Sequence, residues 1–98
     1  MRSVVLRVLD GPHAGQQRFL IVGQVLRVGR TEWADLAISD PTMSSVHFEL
    51  GFKPNACRLA DLGSANGTKL NGRPVQSTPV VHGDVIGAGL TDFEVLFN

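Results

Sequence analysis

A second cysteine, a long apolar run and an excess of one charge are all missing from this sequence. Cys57 is the only cysteine in 98 residues, so no internal disulfide can form, and a reducing compartment is the natural setting. Nine basic residues balance nine acidic ones. That neutrality argues against a nucleic-acid or membrane surface working by bulk electrostatics, so any anion recognition must be local. Five phenylalanines and one tryptophan are too few for a barrel that stacks bases. The apolar runs near the N-terminus are short and broken by Arg7 and Asp10, so neither a signal peptide nor a membrane span is expected. The chain reads as cytoplasmic. Three scattered histidines and one cysteine give no zinc spacing, and neither a metal nor a cofactor is expected.

A sustained helical period is absent too. Val4, Leu6 and Val8 alternate with Val5, Arg7 and Leu9 and lead into the turn Asp10 to Gly15. Gln16 to Val22 and Gln24 to Val28 read as the next strands, broken at Gly23. Thr31 to Ala34 is a loop with room for one helical turn, in which Trp33 is expected to pack, with contact to a ligand as the alternative. Leu36 and Ile38 mark a short strand, and Val46, Phe48 and Leu50 share one face of a longer one. Cys57 and Leu59 form another alternating pair, which makes the cysteine a small buried hydrophobe. Val80-Val81 and Val85-Ile86 flank His82-Gly83-Asp84 and read as a hairpin, and Asp92 to Phe97 is the last strand. Short strands at close spacing point to an all-β sandwich or barrel. With 98 residues and no linker, repeat or low-complexity tract, residues 1–98 form a single domain with enough surface to bury a core, and a longer parent protein is plausible.

The densest polar stretch runs from Asp61 to Gly72 and holds two Asn-Gly pairs, Asn66-Gly67 and Asn71-Gly72. Both residue types accept positive φ at low cost, so each pair is expected to make a tight type I′ reversal. Loops of this composition lie on the surface, where binding groups are mounted.

Gly29-Arg30, the run Asp35 to His47 with its Ser44-Ser45-Val46-His47, and Ser64-Ala65-Asn66-Gly67-Thr68 followed by Asn71-Gly72 fall into one pattern, completed by Gly83-Asp84-Val85-Ile86. Together they resemble the forkhead-associated (FHA) domain, over nearly the whole chain. The resemblance implies an antiparallel β-sandwich of about eleven short strands whose loops at one end bind a phosphothreonine peptide, a non-catalytic role. It assigns Arg30 and Ser44 to the phosphate with Ser45 assisting, and Asn66 to the peptide backbone. Gly29, His47, Gly67 and Thr68 become structural supports. The partner it implies is a phosphothreonine-bearing protein, a Ser/Thr kinase substrate or the kinase itself.

The chemistry of those residue types suits the task. A phosphothreonine carries a charge near −2 and three acceptor oxygens, which a guanidinium can meet with a charge-assisted, bidentate contact. A serine hydroxyl adds a donor, and an asparagine amide offers both a donor and an acceptor. The plainer readings are a solvated Arg30, and Ser44 and Asn66 capping turns through local backbone bonds. Two positions depart from the common pattern: Ser45 stands where Arg, Lys or Asn is usual, and Ala65 where Thr is frequent. Each loses a phosphate contact, which leaves a phosphate-independent interaction domain as the alternative. Ser44, His47 and Asp61 also suggest a hydrolase triad, but an extended Ser-x-x-His segment points its two side chains to opposite faces, and no nucleophile elbow is present.

Overall fold

Alternation is the rule that builds this molecule, and the computed structural model describes it for residues 2–98. Eleven strands run in chain order: β1 (Val4–Val8), β2 (Gln17–Leu20), β3 (Val25–Gly29), β4 (Leu36–Ala37), β5 (Phe48–Lys53), β6 (Ala56–Asp61), β7 (Thr68–Leu70), β8 (Arg73–Val75), β9 (Ser77–Val80), β10 (Val85–Ala88) and β11 (Thr91–Phe97). They form a six-stranded sheet, β2-β1-β11-β10-β7-β8, and a five-stranded sheet, β4-β3-β5-β6-β9. Neighbours are antiparallel except β3 and β4, whose short parallel pairing sets Val28 beside Leu36. Of the two architectures open at the level of pattern, this is the sandwich.

The inward residues of both sheets make one core. Leu6, Ile86, Phe93 and Val95 come from one side, and Val28, Phe48, Leu50 and Leu59 from the other. Phe48 and Phe93 meet edge to face with ring centroids 5.3 Å apart, which ties the layers together. Cys57 is buried in this core, and its thiol is pushed up to about 11 by desolvation. On the outer faces Arg7 pairs with Glu94, and Arg27 with Glu49 at 3.7 Å, both cross-strand neighbours. Among the described residues no helix is long and apolar enough to cross a membrane.

Four local expectations are corrected. Val80 and Val85 do not form a hairpin: Val80 pairs with Cys57 in the five-stranded sheet and Val85 with Glu94 in the six-stranded one. The chain changes sheet because Asn71 captures it, donating from Nδ2 to Asp84 Oδ1 at 3.0 Å and accepting from Val85 N–H at 2.9 Å. Asn71 (φ 51°) and Gly72 (φ 83°) do make the I′-like reversal between β7 and β8, whereas at Asn66-Gly67 only the glycine has positive φ. That segment must carry the chain from β6 in one sheet to β7 in the other, so it spans rather than folds back. Trp33 does not pack: it is 79% exposed at a turn tip. Finally, the strand near Ser44 starts at Phe48 and not at Val46, because Asp40 to Val46 is a turn-rich loop.

Candidate functional site

The loops β3–β4, β4–β5 and β6–β7 meet at one pole of the sandwich, and the sequence there explains why they can approach. β3 ends on Gly29, and a Cβ at that position would lie 2.2 Å from the Ser45 carbonyl oxygen and 2.7 Å from Val46 Cα. Only a residue without a side chain lets the β4–β5 loop lie against it. Beyond this contact the two loops are stitched through backbone groups. Arg30 N–H donates to Ser44 O at 3.0 Å, and Thr31 gives both its N–H (3.3 Å) and its Oγ (3.1 Å) to Ser45 O.

His47 fixes the other side. Its ring is fully buried; Nδ1 accepts from Ser44 N–H at 3.1 Å and Nε2 donates to Gly67 O at 2.7 Å. These two partners select the neutral ring with its proton on Nε2. The ring therefore clamps the β4–β5 loop to the β6–β7 loop. Nothing in this arrangement is a triad: the ring meets the backbone of Ser44 and not its hydroxyl, and Asp61 is engaged elsewhere. The segment is a turn, so the expectation that an extended Ser-x-x-His would separate the two residues does not describe how they sit.

Asp61 and Thr68 support the crossing from β6 to β7. Thr68 is buried and donates its hydroxyl to Asp61 Oδ1 at 2.7 Å, while Gly63 N–H and Ser64 N–H reach Oδ2 at 3.0 and 3.1 Å. Burial alone would raise the Asp61 carboxyl, but the donors of Ser64, Thr68 and Gly63 hold it below its ordinary value. Gly67 follows with φ 82° and open space around it, so it is needed for backbone conformation and not for clearance.

Asp40 has the same design and was not singled out by the sequence reading. It accepts Thr42 N–H (2.9 Å) and the Thr42 hydroxyl on Oδ1, and Leu90 N–H and the Thr91 hydroxyl, both at 2.8 Å, on Oδ2. Desolvation pushes its carboxyl up, yet these four donors outweigh it and bring it down to about 2. The β4–β5 loop is thereby tied to the turn between β10 and β11. An Asp two residues before Thr is a weak local signal for an Asx-turn; the contact with residues 90 and 91 leaves no trace in sequence.

Above these braces lies an open cleft of about 610 Å³ lined by Arg30, Ser44, Ser45, Val46, Ala65 and Asn66, with Pro41 to Met43 along its edge. The structure thus brings together all four residues assigned to the ligand and places the four supports beneath or beside them. Arg30 is the only charged residue in the lining. Its Nε donates to Met43 O at 3.1 Å, and neither ion pair among the described residues involves it, so the rest of the guanidinium faces the cleft unneutralised. Ser44 Oγ accepts from Ala65 N–H at 2.9 Å, which leaves its own proton free to donate. Asn66 Nδ2 donates to Thr42 O at 3.1 Å and keeps its carbonyl oxygen free. This bond ties the β6–β7 loop to the β4–β5 loop and is not the local turn cap of the plainer reading; it leaves a ligand-facing role open. The amides of Ser45 and Val46 have no partner among the described residues, adding two donors that composition cannot reveal. One full positive charge and several convergent N–H and O–H donors, with no carboxylate among them, make a site for a tetrahedral anion. No group of three or more His, Cys, Asp or Glu able to hold a metal occurs among the described residues.

A two-sheet sandwich with an anion-accepting cleft between its polar loops defines a class of recognition module. The chain belongs to the FHA domain family. Residues 7–96 match the family model described as the inner membrane component of T3SS, cytoplasmic domain. The FHA domain of the CT664 protein from Chlamydia trachomatis superposes with a TM-score of 0.91 at 28% identity, over 98% of both chains. A structure from work on phosphothreonine-dependent FHA domain interactions gives a TM-score of 0.88 at 34% identity, covering 98% of this chain and 97% of its own. In sequence, the chain is 37% identical over 87 residues to the glycogen accumulation regulator GarA of Mycobacterium tuberculosis, covering 89% of this chain and 53% of that protein. The chain thus spans about half the length of the curated relatives it matches.

Proposed function

We propose that residues 1–98 act as one non-catalytic recognition domain that binds phosphothreonine-containing segments of partner proteins, either a substrate of a Ser/Thr kinase or the kinase itself. The observation that carries this reading is the unpaired guanidinium of Arg30, set beside the free hydroxyl proton of Ser44 and the free amides of Ser45 and Val46. Arg30 takes the phosphate in a charge-assisted contact, the serines and amides take its remaining oxygens, and Asn66 holds the ligand backbone. Val46 offers apolar lining to the threonine γ-methyl, a difference from phosphoserine of about 1 kcal/mol. A single core shared by both sheets supports the reading of one domain, and a reducing, cytoplasmic setting suits the lone thiol of Cys57.

The test is fluorescence-anisotropy binding to degenerate phosphothreonine, phosphoserine and unphosphorylated peptide libraries, with Arg30→Ala alongside. Selective binding of the phosphothreonine library, weakened at least about tenfold by Arg30→Ala, is the expected outcome. Equal binding of all three libraries, unchanged in Arg30→Ala, would instead select a phosphate-independent interaction surface, the reading that Ser45 and Ala65 favour.

A further inference from the structure

The turn between β3 and β4 directly follows Arg30 of the cleft lining, and among the described residues the side chains at its tip make no hydrogen bond or ion pair. Ala34 N–H donates to Thr31 O at 3.0 Å, which closes a four-residue turn with Glu32 and Trp33 at its centre. Ala34 is buried and anchors the turn, while Glu32 and Trp33 are both exposed. The base of the turn rests on the cleft itself: Thr31 makes two bonds to the Ser45 carbonyl, and its Oγ also accepts from Trp33 N–H at 3.4 Å. The backbone of Trp33 is therefore tied through Thr31 to the Ser45 carbonyl by a short bonded path.

We propose that Trp33 and Glu32 form a subsite for a cationic side chain, a lysine or arginine of the phosphothreonine partner flanking its phosphorylated residue. A lone exposed apolar residue carries no such message. Here the indole, 79% exposed, stands next to an acid that no cation pairs with among the described residues. That acid follows two residues after Arg30 of the cleft, so in the proposed complex it repels a group of charge near −2 unless a positive group is interposed. A ligand cation does so while stacking on the indole face and pairing with the carboxylate. The neighbouring acid differs: Asp35 is committed to Arg27 N–H at 2.8 Å. On the other side of Asn66 a second depression carries Lys69 and Asp92 together, so it offers no single charge preference. The asymmetry assigns the cation to the Trp33 side.

This inference rests on the phosphothreonine reading, and one experiment separates the two. A phosphothreonine peptide with alanine at all flanking positions is compared with a series in which lysine, and in parallel glutamate, is moved through the flanks. Binding is read by anisotropy and by the emission of Trp33, the only tryptophan of the chain. At one flanking position lysine is expected to tighten binding about fivefold over alanine, glutamate to weaken it, and indole emission to change with the lysine peptide. Trp33→Ala and, independently, Glu32→Gln bring the lysine-to-alanine ratio towards one. Binding of every phosphothreonine peptide with no lysine preference and silent indole emission overturns the subsite while the phosphate reading stands. Absence of binding by any phosphothreonine peptide overturns both.

Discussion

Nε2 of His47 donates to the carbonyl oxygen of Gly67, twenty residues further along, at 2.7 Å, while Nδ1 of the same ring takes the amide proton of Ser44. One buried side chain thus sets the distance between the loop carrying Ser44 and Ser45 and the loop carrying Asn66. His47→Ala leaves one buried acceptor and one donor unmet, each costing about 1–3 kcal/mol, and opens a cavity besides. We expect a loss of about 3 kcal/mol or more in denaturant unfolding, and phosphopeptide affinity lost with it. Stability within about 0.5 kcal/mol of the parent would show that the loops hold each other without the ring.

Gly29→Ala tests the close approach on the opposite side. Its Cβ would meet the Ser45 carbonyl oxygen at 2.2 Å, and that atom is backbone held by two bonds from Thr31. The loop must therefore move, at a cost of about 1–3 kcal/mol, and Ser44 and Ser45 move with it. The expected signature is weakened phosphopeptide binding together with chemical-shift changes concentrated at residues 44–46. Unchanged shifts there would sink the argument.

Most of the fold was legible because alternation is a local property. The inward sets at Val4, Leu6 and Val8 and at Phe93, Val95 and Phe97 follow from period two, and the first five of these are fully buried while Phe97 packs partly exposed at the rim. The grouping of Arg30, Ser44, Ser45 and Asn66 around one cleft was legible through spacing and type. What failed to show was anything decided by a distant partner. Three-residue strands such as β7 and β8 carry no period of their own. The membership of Val80 and Val85 in different sheets depends on Asn71, and two identical Asn-Gly pairs diverge because only the second joins antiparallel neighbours. The role of Asp40 left no trace because Leu90, one of its partners in the turn before β11, lies fifty residues away.

Asp40 makes the low-pH behaviour predictable. Its carboxyl lies near 3.8 in the unfolded chain and at about 2 in the folded one. A depressed folded value means that the contribution is complete above about pH 4 and is lost as the pH falls through about 2. The difference corresponds to about 2 kcal/mol. Asp61, also depressed, acts in the same direction. In Asp40→Asn an amide N–H2 must face donors from Thr42 or from Leu90 and Thr91, so we expect a loss of about 2–3 kcal/mol near neutrality. The variant should also show a flatter fall of stability between about pH 4 and pH 2. Parallel pH profiles for parent and variant in urea unfolding would assign the acid sensitivity elsewhere.

Ser45 offers the gain-of-function test. Its side chain lines the cleft, is exposed, and has no hydrogen-bond partner among the described residues, so it can be replaced without disturbing the carbonyl contacts from Thr31. Ser45→Arg adds a second full positive charge to a cleft whose lining holds only Arg30. A new charge-assisted bond contributes about 1.5–3 kcal/mol, offset in part by the entropy of ordering a long side chain. We therefore expect phosphothreonine peptides to bind about tenfold more tightly, with unphosphorylated peptides unaffected and the gain reduced at high salt. The same substitution combined with Arg30→Ala should recover only part of the affinity, because Arg30 is already positioned by its bond to Met43 O and the newcomer is not. If Ser45→Arg tightens phosphorylated and unphosphorylated peptides alike, the added charge acts as general attraction, and the cleft is not where the phosphate binds.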